Sequence, residues 1–501
     1  MSSKDTVLYG GLLCDGTGKQ PVLQDLLIRN DRIADLGEPG AFDSLEAEKI
    51  DISGGMVAPG FIDIHAHGDL RKILYPENRT KLLQGVTTEV DGNCGNSKSC
   101  IPGNAAEYQW QNLAEYAKTI NDLKISTNTV VLCGHNSIRF QVLGNTPRKP
   151  DQNELREMQH LLENACSNGA AGFSTGLTYF PGKFADTNEL CALSEVLKNS
   201  KKIYASHIRS EGDTLIESIH EAAKIANAGS RRLQVSHLKT IFPQNFHKIG
   251  DLLKTLKQYK ENSMFLHADR YPYIYSSTGI TQILPSPYDK DPELPEKLHT
   301  SEKIRQEVTA ALKNSPRDLA STILMKNGKT LAEIAAEQNC SLETAGLLAL
   351  MENPAQDAAY LCMSEENMMK ILSEPWVCPG SDGLAMQLDD PQYQGHPRSV
   401  GTFPTFYRLV RELTSIPEAI RRMTSLPADI LGLEKRGRIQ KDYFADLVVF
   451  DPVKYDSHAG FDGRNTMPTG VKKVFVNGTL AWNAENPDQV VRNGSYIAVN
   501  S

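Results

Sequence analysis

Eight short apolar runs, each ending in small or polar residues, recur along the chain. They lie at 56–65 (MVAPGFIDIH), 86–91 (VTTEVD), 129–135 (TVVLCGH), 170–175 (AAGFST), 202–207 (KIYASH), 232–237 (RLQVSH), 264–271 (MFLHADRY) and 376–382 (WVCPGSD). Runs of this length between turn residues read as buried strands. The intervals between the first seven mostly carry helical spacing. It is clearest at 212–229, where Leu215, Ile219, Ala222, Ala223 and Ala226 fall on one face. Strands alternating with amphipathic helices predict an α/β fold with a parallel sheet, and eight such units predict a closed (β/α)8 TIM barrel.

The two ends of the chain break this rhythm. Residues 6–50 and 436–485 read as short strands separated by turns, with turn signals at Asp15-Gly16 and Asn477-Gly478. They predict one small β-sandwich domain built from both termini (1–57 with 432–501) beside a barrel at 58–431. The interval between the seventh and eighth runs, 272–375, is far longer than an ordinary connection. It holds helical stretches at 301–314 and 329–352, and predicts an inserted subdomain at about 285–370, near the barrel mouth.

Composition narrows the class without naming a chemistry. With 40% hydrophobic and 23% charged residues, the 501-residue chain has the make-up of a soluble globular protein large enough for more than one domain. A net charge of −8 gives no electrostatic reason to expect nucleic acid or an anionic membrane as partner. The start, MSSKDTVLYGGLLCDG, lacks a signal-peptide pattern, and no run of apolar residues is long enough to span a bilayer. Nine scattered cysteines fit reduced thiols in a cytoplasmic protein better than a disulfide framework. Oligomeric state is not written in these features.

Candidate chemistry gathers at the strand ends, where barrels of this kind carry their active sites. Those ends supply His65 and His67, Cys94, His135, His207, His237, Tyr271 and Asp382, so five of the twelve histidines converge on one rim. One histidine at a strand end is most often a hydrogen-bonded structural residue. Five together form a costly polar cluster unless something organises them, and a metal is the simplest organiser. His65 and His67 share one face of a strand because side chains alternate. Cys94 sits in the glycine-flanked DGNCGNS, a polar setting unlike that of an inert buried thiol. A thiolate and two imidazoles suit Zn²⁺ with a position left open for water. Asp382, in CPGSDG, is the candidate acid/base, against the plainer role of an aspartate preceding a turn glycine. His135 could stand behind the ligands and donate to an oxyanion. Lys239 and Arg398 could grip a substrate carboxylate, with Tyr271 and Ser277 nearby, although a solvated charge is the usual fate of such cations.

These motifs taken together resemble a known family. PGFIDIHAHGD, GVTTEVDGNCG, GFSTGLTYFPG, YASHIRSEGD, SHLKT, DRYPY, PGSDG and HPRSVGTFP look like the amidohydrolase superfamily, most closely its N-acyl-D-amino-acid deacylase (D-aminoacylase) branch, over residues 8–485. The resemblance implies a tightly held zinc on Cys94, His207 and His237, with cysteine in the bridging place that a carboxylated lysine holds in many relatives. It implies a second, weaker metal position on His65, His67 and Asp382, with Asp382 as catalytic acid/base. It also implies that Lys239, Tyr271, Ser277 and Arg398 contact the α-carboxylate of a small-molecule N-acyl amino acid. SHIRSEG, and the hydrophobic Ile241-Phe242 pair after SHLKT, depart from the family pattern and bear on substrate choice.

The sequence therefore predicts hydrolysis of a linear N-acyl-D-amino acid by water activated at a metal. Two rivals stand beside it. A cyclic-amide hydrolase of the dihydropyrimidinase type predicts a carboxylated lysine at strand four, where this chain has Ser174-Thr175. A non-catalytic barrel scaffold predicts lost ligands, and none is missing.

Overall fold

Parallel strands buried on both faces read as nearly unbroken apolar runs, and the computed structural model, which describes residues 5–386, 395–461 and 466–500, turns the eight runs into one sheet. Its strands are β1 (Phe61–Asp63), β2 (Val86–Asp91), β3 (Asn128–Gly134), β4 (Gly172–Gly176), β5 (Ile203–His207), β6 (Arg232–Val235), β7 (Phe265–Arg270) and β8 (Val377–Pro379). They lie side by side in chain order, all parallel. The seam between β8 and β1 closes just beyond the strand ends. There the Asp382 amide donates to the His65 carbonyl at 2.7 Å and the His67 amide donates to the Gly383 carbonyl at 3.0 Å. The fold is thus the (β/α)8 barrel expected from the apolar rhythm.

The first run divides where one strand was expected. Met56–Pro59 pairs with the β domain, and the barrel starts only at Phe61. Gly60 is the joint: a Cβ there would lie 2.2 Å from Thr87 Oγ1, so only glycine lets the chain pass this close to β2.

Inside the barrel, Ile62, Val90, Val130, Leu132, Ile203 and Ala205 form an apolar column. Its floor is sealed by Leu426, Ile430 and Leu431 and by Val499, near the end of the chain. The tail is tied down as well as packed. Lys202 Nζ donates to the carbonyls of Ala170 (2.7 Å) and Val499 (2.8 Å), and the Ile497 amide donates to the Thr129 carbonyl at 2.8 Å. Outside, Leu215, Ile219, Ala222, Ala223 and Ala226 bury the predicted face of the helix Leu215–Ala228.

Both termini build the second domain. A six-stranded sheet (Leu12–Leu13, Val22–Leu23, Met56–Pro59, Leu447–Phe450, Val471–Val476, Thr479–Asn483) faces a four-stranded one (Thr6–Tyr9, Asp25–Arg29, Arg32–Gly37, Glu48–Asp51). Leu8, Leu26, Ile28, Val57, Leu447 and Phe475 pack between them. The insertion between β7 and β8 has its own small sheet (Tyr275–Gly279, Ile323–Leu324, Asp357–Leu361) and its own apolar core. The helical stretch read at 329–352 is two helices, Leu331–Gln338 and Leu342–Glu352, divided at Asn339, which is left-handed at φ +47°. Among the described residues no helix is long and apolar enough to cross a membrane. All nine cysteines are free thiols.

Candidate metal centre

Because the seam, the loop after β2 and the ends of β5 and β6 meet at one rim, six donor side chains converge. Cys94 Sγ lies 3.4 Å from His65 Nε2, 3.5 Å from His237 Nε2 and 3.7 Å from His207 Nδ1. Asp382 Oδ1 lies 2.9 Å from His67 Nε2 and 3.5 Å from His65 Nε2. Two donor sets result, His65–His67–Cys94–Asp382 and Cys94–His207–His237, with Cys94 common to both. A tetrahedral zinc holds a sulfur at about 2.3 Å and a nitrogen at about 2.0 Å, which separates those ligands by roughly 3.5 Å. The three sulfur–nitrogen distances match that spacing, so the donor set fits a metal of this kind.

The backbone is shaped to present these groups. Cys94, His237 and Asp382 all adopt the left-handed region, at φ +52°, +36° and +49°, which side chains other than glycine seldom accept. Strain concentrated on three ligands is the mark of a site over-determined by its surroundings. Around Cys94 the loop is clamped: a Cβ on Gly176 would sit 2.1 Å from the Cys94 carbonyl oxygen. Ser174 completes the clamp by accepting from the Gly95 amide at 3.1 Å and donating to the Gly92 carbonyl. The glycines flanking Cys94 and ending β4 are therefore requirements of close approach.

Two carboxylates behind the ligands escaped the sequence reading. Asp269 accepts from His65 Nδ1 at 3.0 Å, from the His237 amide at 2.8 Å and from Gln234 Nε2 at 2.9 Å. Glu211 Oε1 lies 3.0 Å from His237 Nδ1 and 2.6 Å from Lys239 Nζ. Carboxylates placed on the far nitrogen of an imidazole fix its tautomer and leave the other nitrogen as a donor atom. Both lie inside motifs already read, DRYPY and YASHIRSEGD. Their spacing from Tyr271 and His207 was the available signal.

Electrostatics agree with this wiring. Burial opposes ionisation of Cys94, but the His65 and His237 imidazoles outweigh it and hold the thiol well below its ordinary value. Burial likewise opposes charge on Asp382, yet Arg398, His67 and His65 hold its carboxyl well below the usual range. For His65, burial favours the neutral ring and is overcome by Asp269 and Cys94, which carry its pKa well upward. His67 is likewise raised, to about 9, by Asp382 and Cys94 against burial.

The site opens into two adjoining chambers that share Tyr179, Ser277 and Asp382. One, of about 230 Å³, is lined by His207, His237, Lys239 and Tyr271 and reaches Pro316 and Arg317 of the insertion. The other, of about 210 Å³, holds Cys94, His67 and Arg398. Arg398 Nη1 lies 2.8 Å from Asp382 Oδ2, and its guanidinium stands 4.9 Å over the Tyr271 ring. Lys239, Tyr271, Ser277 and Arg398 all therefore face the site.

His135 does not. It is the first residue of the helix His135–Leu143, because β3 stops at Gly134, and its ring turns outward against Phe173. Its Nε2 lies 2.9 Å from Glu189, whose other partner is Arg139. The place expected for it beside an oxyanion is corrected: it is a buried structural histidine between barrel and helices.

Known proteins bear on this arrangement. The profile of the Amidohydrolase family matches residues 48–261 and 392–481. An N-acyl-D-glutamate deacylase of Alcaligenes xylosoxydans xylosoxydans is 32% identical over 99% of this chain and 98% of its own length. A D-aminoacylase of the same organism is 31% identical over 95% of this chain and 94% of its own. The crystal structure of an N-acyl-D-glutamate deacylase from Bordetella bronchiseptica, complexed with zinc and a phosphonate mimic of the tetrahedral intermediate, superposes with a TM-score of 0.83. That protein is 31% identical, and the match covers 99% of this chain and all of the other.

Proposed function

The chain belongs to the amidohydrolase family, and from that premise we propose that it hydrolyses the amide bond of N-acyl-D-amino acids, giving a carboxylate and a free D-amino acid. The observation that carries this reading is the sulfur of Cys94 at zinc-ligand spacing from three imidazoles, with Asp382 beside them. Cys94, His207 and His237 would hold one zinc tightly, and His65, His67 and Asp382 form a second, weaker position that shares Cys94. When bound, the metal supplies Lewis acidity, lowering the pKa of water and polarising the acyl carbonyl.

The protein's own groups do the rest. Asp382 accepts the proton of the attacking water and returns it to the leaving nitrogen, so one water is consumed and one C–N bond breaks. Arg398, with Tyr271 and Ser277, takes the substrate's α-carboxylate. In doing so it draws away from Asp382 the cation that most depresses its pKa, and leaves a better base once substrate is seated. Lys239 lines the chamber of Tyr271 and Ser277 and holds Glu211 against His237, tying substrate contact to ligand orientation.

Amine release from a panel of N-acyl-D- and N-acyl-L-amino acids, with zinc added or chelated, tests the proposal. Turnover of D-substrates that chelation abolishes is expected. Asp382→Asn should lose at least about 10³-fold in kcat with zinc at the tight site retained. Activity within tenfold of wild type in that variant would overturn the role of Asp382. Ring opening of hydantoins with no release from linear substrates would favour a cyclic-amide hydrolase. Against that rival stands Ser174, which occupies β4 and braces the Cys94 loop.

A further inference from the structure

Three of the four Lys and Arg side chains facing the two chambers are already paired. Arg398 is held by Asp382 at 2.8 Å and Lys239 by Glu211 at 2.6 Å. Arg209 is held by Glu221 at 2.9 Å and by the Ala185 carbonyl at 3.0 Å. The fourth, Arg317, has no ion pair among the described residues, and its Nε and Nη1 are buried without a hydrogen-bond partner. Buried guanidinium N–H groups left unpaired are costly, and in a pocket wall they mark the place of an absent acceptor.

The side chain is also fixed in advance. Its guanidinium lies between two rings, 4.9 Å from Phe242 and 4.8 Å from Tyr360. Tyr360 is locked by donation from its hydroxyl to the Gly279 carbonyl at 3.0 Å. Phe242 reaches its place through a left-handed backbone, φ +68°, held by donation of its amide to the Cys362 carbonyl at 2.9 Å. This is the Ile241-Phe242 pair that departs from the family pattern in sequence. Its aromatic member serves to support Arg317.

We propose that Arg317 is a specificity-determining residue that binds a second carboxylate, on the side chain of the D-amino acid, so that the preferred substrates are N-acylated acidic D-amino acids. The inference rests on the deacylase reading above. Overall similarity does not decide the side chain, because relatives named N-acyl-D-glutamate deacylase, N-acyl-D-aspartate deacylase and D-aminoacylase are 32%, 31% and 31% identical. Geometry does. Arg398 lines one chamber and Arg317 the other, with Asp382, Ser277 and Tyr179 common to both. A substrate with two carboxylates spans them, with the Cα that bears the scissile amide between, and an unpaired, ring-clamped guanidinium gives planar recognition that a neutral side chain leaves unmet.

The test compares N-acetyl-D-glutamate with its neutral isostere N-acetyl-D-glutamine on zinc-loaded protein. Wild type should favour the glutamate by about tenfold or more in kcat/KM, in keeping with a charged hydrogen bond. Arg317→Met should bring the two within about threefold, through a raised KM for the glutamate and little change for the glutamine. Phe242→Leu should give an intermediate loss. Calorimetric titration with free D-glutamate and D-glutamine supplies a readout independent of turnover. Binding of D-glutamate that Arg317→Met removes, with no hydrolysis of any panel member, would sink the deacylase reading and leave the anion site standing. Hydrolysis with a glutamate-to-glutamine ratio that Arg317→Met leaves unchanged would overturn the anion site and leave the deacylase.

Discussion

The two ends of the barrel are built from the same eight strands and obey opposite rules. At the floor, Leu426, Ile430, Leu431 and Val499 seal an apolar column, and Lys202 satisfies itself on two carbonyls. At the rim, six ionisable side chains crowd together, three of them on left-handed backbone. The floor is apolar and closely packed. The rim is neither apolar nor free of backbone strain, and these departures are what bring Cys94 and Asp382 to bear on the same small volume. Such division of labour between strand ends lets one scaffold carry reactivity without surrendering its fold.

That contrast can be broken from either side. At the rim, Cys94→Ala removes the ligand common to both donor sets, and a loss of activity of about 10³-fold or more with zinc lost is expected. Metal analysis alongside amine release checks it, and a melting temperature within a few degrees of the metal-free wild type would confine the damage to the rim. At the floor, Ile430→Ala should lower stability by about 2–4 kcal/mol in denaturant titration, while kcat and zinc content per folded molecule stay at wild-type values. Loss of zinc in that variant would mean that the two ends are coupled.

Smaller effects sharpen the same line. Glu211→Gln keeps the shape but weakens the acceptor behind His237, so zinc affinity should fall roughly 10–100-fold in chelator competition, with some loss of stability because the buried Lys239 loses its counter-charge. One layer below Asp269 on β7, His267 is held neutral by burial and by Lys260, Arg232 and Arg421, its pKa brought down to about 3. The unfolded chain binds a proton there below the ordinary 6.5 that the folded chain refuses. Stability therefore falls as pH drops between those values, by about 1.4 kcal/mol per pH unit from this group. His267→Leu should flatten that part of the stability–pH curve, measured by denaturant unfolding at pH 4, 5 and 6.

Much of this was open to reading in the primary structure because barrel strands have to be apolar on both faces, so β2 to β8 stand out as runs. The break at Gly60 did not, since only the neighbouring Thr87 makes that glycine necessary. Cys94 and the clustered histidines announced themselves by residue type and by position at strand ends. His135 shared that position and still misled, because one residue past the end of a strand turns a side chain from the mouth to the outer layer. Asp269 and Glu211 lay unremarked within familiar motifs, because their spacing from Tyr271 and His207 gains meaning only once the histidines they support are seen. Arg317 was invisible in a stretch without periodicity, where an arginine looks like any solvated charge until Phe242 and Tyr360 are seen on either side of it.

The seam between β8 and β1 also sets an order in time. His65 and His67 leave the ribosome early, but the Asp382 and Gly383 segment that locks them into register is made some three hundred residues later. Cys94, His207 and His237 are all present once residue 237 has been added. At roughly 5–20 residues per second, the stretch from there to Asp382 takes about 7–30 s to synthesise. Through that interval the nascent chain carries Cys94, His207 and His237 without Asp382, so the two donor sets are completed in sequence, and the proposed proton-transfer residue comes last of the six.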